Sequence, residues 1–149
     1  MLLSRNRKAL FNYEIIDKFT AGIKLKGYEV KALREKKVSF EGSYISILEG
    51  VPLVVNLYIG RYSNQSQEHL EQFARRPRRL LLSKNEILKI KKELLEKGKT
   101  AVPLALLLQN NLIKLELAVV KGRKKHQKRG LLKERQLKKD LQKQIKGSI

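Results

Sequence analysis

The chain has 149 residues, 42% of them hydrophobic, and carries 34 Lys and Arg against 14 Asp and Glu for a formal charge of +20. That balance excludes a wholly disordered chain, the lack of Cys excludes disulfide frameworks and thiol chemistry, and the longest apolar run, Leu104 to Leu108, is far short of the ~20 residues of a membrane helix, so one domain in the cytoplasm is expected. Half of the charge lies in residues 121–149, where twelve Lys and Arg face only Glu134 and Asp140, and a polyanion such as RNA, which releases counterions when neutralised, is the partner this suggests.

Residues 1–120 read as the folded body and 121–149 as a basic tail. In chain order, Phe11 to Leu25 divides into two strand-like runs, with Tyr13 and Ile15 alternating against Glu14, then Ile23 and Leu25 against Lys24 and Lys26. Tyr28 to Arg34 changes to a spacing that fits two helical turns. Tyr44–Leu48 and Leu53–Ile59 flank Glu49-Gly50-Val51-Pro52 and predict a hairpin, and polar Gly60–Gln72 predicts an exposed loop.

Ser83-Lys84-Asn85-Glu86 has the hydroxyl and carboxylate of a capping box, opening a helix with Ile87, Leu88, Leu94 and Leu95 on one face that stops at Gly98. Val102, Leu104, Leu106 and Leu108 then alternate, Asn110-Asn111 supplies a turn, and Ile113, Leu115, Leu117 and Val119 alternate again. About six short antiparallel strands with two helices predict a mainly β fold, a small OB-type barrel with two or three short helices.

Chemistry is sparse. His69 and His126 have no second ligand at helical spacing, so neither a metal site nor metal catalysis is expected. No Gly-rich phosphate loop occurs, so no nucleotide cofactor is expected. Glu14 and Asp17, three apart on a strand, are expected on opposite faces and not as a catalytic pair. Catalysis would need a converging acid, base or metal constellation, which makes an RNA-processing enzyme the weaker reading and a structural ribosomal or general RNA-binding protein the stronger alternative.

Arg75-Arg76-Pro77-Arg78-Arg79, with Lys84 beyond, contains no acid and reads as a nucleic-acid contact, since guanidinium groups pair bidentately with phosphate and stack on bases. Aromatic residues are few and do not interleave with the basic ones; Phe11, Phe19, Tyr44 and Tyr58 are assigned to the core. In the tail, Leu132, Leu137, Leu141 and Ile145 form a narrow stripe among Lys133, Arg135, Lys138, Lys139, Lys143 and Lys146, which suits a segment disordered when free and helical against RNA.

Asn6-Arg7-Lys8-Ala9, Tyr13-Glu14-Ile15, the block from Ala21 to Arg34, Leu80–Ile87, Val102-Pro103-Leu104, Lys114–Ala118 and Lys121–Lys124 occur in an order that resembles the SsrA-binding protein (small protein B, SmpB) family over nearly the whole chain. The resemblance implies an OB-type barrel and a non-catalytic role in trans-translation: binding the tRNA-like domain of transfer-messenger RNA (tmRNA) and delivering it to stalled ribosomes. It further implies contacts with the small-subunit decoding region and message channel, indirect association with elongation factor Tu and alanyl-tRNA synthetase through tmRNA, and no membrane partner. By position it assigns Glu29 and Arg34 to the elbow of the tRNA-like domain, and Lys31 stands in the same RNA-binding block. Lys121, Arg123, Lys124, Lys128 and Arg129 fall in the basic segment leading into the tail, and Lys133, Arg135, Lys138 and Lys139 in the ribosome-binding tail. The chain departs from the family pattern at Glu35-Lys36-Lys37, at Gln72–Arg76 (Pro77 is kept), at His126–Arg129 and at Gly130 or Leu131.

Overall fold

A computed structural model describes residues 1–63 and 73–122. Nine strands and three helices follow one another there: β1 (Leu2–Arg5), α1 (Arg7–Asn12), β2 (Tyr13–Ile23), α2 (Gly27–Arg34), β3 (Val38–Ser39), β4 (Tyr44–Leu48), β5 (Val51–Val55), β6 (Tyr58–Ile59), β7 (Arg78–Leu81), α3 (Lys84–Leu94), β8 (Lys99–Gln109) and β9 (Leu112–Gly122). Seven strands form one antiparallel sheet in the order β1-β8-β9-β2-β7-β5-β4, and β3 pairs with β6. The sheet curls until β4 packs against β8, in keeping with the expected mainly β, OB-like architecture.

The local signals that name their own geometry behave as expected. Asn110 and Asn111 both take positive φ, 50° and 63°, and turn β8 into β9. Ser83 accepts from the Glu86 amide at 3.2 Å while Glu86 accepts from the Ser83 amide at 3.1 Å, closing the capping box of α3. The face of α3 is corrected, however: Ile87, Ile90 and Leu94 turn inward, whereas Leu88 and Leu95 are 62% and 83% exposed.

Phe11 to Leu25 is not two strand runs. Helix α1 takes Phe11, capped by Asn6, whose side chain accepts from the Ala9 amide at 3.2 Å, and β2 then runs unbroken for 11 residues. Gly22 interrupts nothing; it lets β2 approach β7, because a Cβ there would lie 3.1 Å from that of Leu81. The turn of the first hairpin is tighter than expected, with Glu49 and Gly50 at φ 50° and 80°, so Pro52 belongs to β5 opposite Ile47, and Asn56 at φ 60° separates β5 from β6.

Bulges invalidate the uniform alternation read along β8. Register shifts between Pro103 and Ala105 and between Ile15 and Asp17, and an extra residue in a strand sends everything beyond it to the other face. Val102 and Leu104 therefore pack with Ala9, Ala118 and Val120 beneath α1, while Leu106 joins the main core with Phe19, Leu33, Val54, Leu80 and Leu115. Asn6 pins the β8 bulge, its amide donating to the Leu104 carbonyl at 2.7 Å and its Nδ2 to that of Pro103 at 2.8 Å.

Glu14 and Asp17 are likewise brought to one face by the bulge at Ile16, contrary to expectation. Asp17 pairs with Lys89 of α3 at 3.4 Å. Of the aromatics assigned to the core, Phe19 is buried, Phe11 and Tyr58 are half-buried and Tyr44 is 43% exposed on an edge strand; Phe40 is buried in its place.

Candidate nucleic-acid interface

Helix α2 sets the site by its periodicity. Ala32 and Leu33 are apolar and buried, and Glu29, three and four residues before them, is carried to the same inward face, where only 1% of it stays exposed. A lone carboxylate there would be costly, and the chain answers with three sources of hydrogen-bond donors. The Lys26 amide donates to Oε1 at 2.9 Å, the Arg76 guanidinium donates to the same oxygen, and Arg78 Nε donates to Oε2 at 2.5 Å.

Arg78 is itself fully buried and uses its remaining nitrogens on backbone, donating to the carbonyls of Leu57 at 2.5 Å and Ala74 at 2.9 Å. One ion pair thereby ties α2, the approach to β6 and the approach to β7 into one unit. Burial works against ionisation of Glu29, but the Lys26 amide, Arg76 and Arg78 together outweigh it and hold the carboxyl below its usual range. Burial likewise pushes Arg78 down, with Glu29 opposing the shift.

The segments joined by this pair present cations laid over tyrosine rings. Lys31 lies 5.2 Å from the centre of the Tyr62 ring, Arg75 lies 5.2 Å from that of Tyr58, and Lys26 lies 6.0 Å from that of Tyr28. The cations are exposed and the rings half-buried, so charges suited to phosphate are held by aromatic groups suited to bases and sugars. Beyond α2, Glu35 accepts from the Ser63 amide at 2.8 Å and from its hydroxyl at 2.6 Å, tethering the segment that carries Tyr62; these bonds lower the Glu35 carboxyl below its usual range.

The expected RNA-binding residues thus divide. Lys31, Arg34, Arg75 and Arg79 are exposed around this unit, Arg76 is half-buried on Glu29, Lys84 is exposed at the start of α3, and Lys121 is exposed near the end of β9. Glu29 and Arg78, by contrast, are almost wholly buried and paired with each other inside the protein, so their charges do not lie at the surface. Arg123, Lys124, Lys128, Arg129, Lys133, Arg135, Lys138 and Lys139, and with them both His residues, lie outside the described residues.

Sequence reasoning missed Lys26, Tyr28, Tyr58, Tyr62 and Glu35. Only Lys26 and Tyr28 are close enough in sequence to have been paired; Lys31 and Tyr62 are brought together by the fold. Among the described residues no group of His, Asp and Glu could hold a metal ion, and no helix is long and apolar enough to cross a membrane.

Comparison with known proteins adds a family to this geometry. Residues 3–147 match the family model described as SmpB protein. An SsrA-binding protein of Persephonella marina is 41% identical over 99% of this chain and 96% of its own length, and one of Borreliella burgdorferi is 39% identical over 97% and 95%. A chain in the solved structure "tmRNA-SmpB: a journey to the center of the bacterial ribosome" is 38% identical, with a TM-score of 0.69 over 82% of this chain and 85% of that one.

Proposed function

The chain belongs to the SmpB protein family, and from that premise we propose that it binds the tRNA-like domain of tmRNA and delivers it to stalled ribosomes for trans-translation, ribosome rescue and tagging of incomplete proteins. The observation that carries this reading is the family match from residue 3 to residue 147. It acts as an RNA-binding factor without catalysis of its own, in the cytoplasm where ribosomes are found.

The cation–tyrosine unit supports the body's part in this. Lys31, Arg34, Arg75 and Arg79 meet the phosphates of the folded RNA, with Lys26, Tyr28, Tyr58 and Tyr62 beside them, and Glu29, Arg76 and Arg78 hold the segments in place from within. Lys84, Lys121, Arg123, Lys124, Lys128 and Arg129 extend the cationic surface. Lys133, Arg135, Lys138 and Lys139 belong to a tail that becomes helical in the empty message channel of the small subunit. Elongation factor Tu and alanyl-tRNA synthetase are reached through tmRNA.

Gel-shift titration with tmRNA and with an ordinary tRNA tests the reading: tmRNA binds more tightly at physiological salt, and equal affinity for the two refutes selective recognition. Deletion of residues 131–149 is expected to spare tmRNA binding and abolish tag transfer on stalled ribosomes. Loss of tmRNA affinity on that deletion would overturn the division between body and tail.

A further inference from the structure

A cleft of about 500 Å³ opens between α1, the turn that joins β3 to β4, and β8, away from the cation–tyrosine pairs. We propose that it receives one unpaired nucleotide of an RNA, the base against Tyr13 and Tyr44 and the phosphate toward Lys8. The inference rests on the RNA-binding reading above and adds to it a second site on different elements.

The lining matches a base better than a bare phosphate. Tyr13 is half-buried, Tyr44 is 43% exposed on the edge strand β4, and Phe40 is a buried wall, so the cleft is lined by aromatic surface from three elements. Asn12 and Thr100 bring an amide and a hydroxyl able to donate and to accept, as a base edge requires. Lys8 and Glu41 leave the cleft near neutrality, which suits an uncharged ring. The volume falls within the ~300–1,000 Å³ of small-molecule sites.

The surroundings supply the backbone path. An adjoining cleft shares Lys8 and Glu41 and adds Arg5 and Arg7, cations that a nucleotide chain can follow on entering. Tyr13 stands opposite Gly122 and Thr100 opposite Val120 in the sheet, so the site sits where β9 leads into the most basic stretch of the sequence. RNA drawn to that stretch by charge meets the tyrosines at its root.

Both tmRNA and ribosomal RNA contain unpaired nucleotides, and the test separates them. Full-length wild type, Tyr44→Ala and Tyr44→Phe are titrated with purified tmRNA and, separately, with ribosomes stalled on a truncated message. Tyr44→Ala should weaken one of the two interactions about 5- to 150-fold, the range for removing one base–aromatic stack, while Tyr44→Phe stays near wild type; the affected arm identifies the RNA. Because a variant can fail through misfolding, the wild-type protein is also photocrosslinked to 4-thiouridine-substituted tmRNA and ribosomes, with Tyr13 or Tyr44 peptides as the expected products. Undiminished binding of Tyr44→Ala in both arms, or crosslinks confined to other peptides, overturns the site. If wild type binds tmRNA selectively while the variant behaves identically, only this inference falls; if wild type shows no selective tmRNA binding, the functional reading falls with it.

Discussion

Arg75 and Arg79 stand on the surface while Arg78, between them, is among the most deeply buried residues of the protein. The segment Arg75–Arg79 contains no acid, so as sequence it looks like one cationic patch. The fold separates it by the alternation of β7 and by the arrival of Glu29 from α2, which reserves Arg76 and Arg78 for an internal ion pair. A basic cluster can therefore divide between the surface and the framework of the fold, and the position of the acid partner distinguishes the two.

The sharpest way to break this contrast is Glu29→Ala, which leaves Arg78 charged, buried and short of its partner. Removing one member of a buried pair costs about 3–5 kcal/mol, so chemical denaturation should show a large loss of stability, with tmRNA binding lost through the fold. An unchanged denaturation midpoint would place the pair's contribution elsewhere. Replacing both charges, as in Glu29→Leu with Arg78→Met, should be less damaging than the sum of the single changes, a coupling measurable by a double-mutant cycle.

Acid sharpens the same point. The Glu29 carboxyl is held below its usual range when folded, so its contribution is complete above the ordinary glutamate pKa of about 4.3 and is lost as pH falls through the lower folded value. Denaturation midpoints measured from neutral pH downward should fall in this acidic window for wild type, and this part of the slope should be missing in Glu29→Ala. At the other extreme, Arg75→Ala and Lys31→Ala should change stability by no more than about 0.5 kcal/mol. Each should reduce the salt slope of tmRNA binding by about one unit for every phosphate that the removed cation had neutralised.

Legibility along the chain follows the range of the forces involved. Ser83 with Glu86, and Asn110 with Asn111, act on backbone within a few residues, and both structures stand where the sequence signals them. Asn6 is a comparable signal for α1, obscured because Tyr13 and Ile15 already suggest a strand immediately beyond it. The bulges at Ile16 and Leu104 carry no such mark: residues that alternate perfectly in sequence pass from the layer under α1 to the main core, and at Leu104 the partner that meets the bulged strand, Asn6, lies nearly a hundred residues away in the chain.

The candidate site shows the same limit. Lys31, Arg34, Arg75 and Arg79 are recognisable from charge and from family resemblance, whereas Tyr58 and Tyr62 join the proposed RNA face only when α2 and the neighbouring segments meet. By itself the sequence determined the family, the mainly β class, the capped helix, the Asn-Asn hairpin and the concentration of charge toward the C-terminus, since each is written in local pattern or composition. Tertiary structure alone decided which arginines are surface and which are framework, and which tyrosines lie beneath cations. Those outcomes depend on low-dielectric burial and on contacts between residues tens of positions apart, where a charge must find its partner or stay in water.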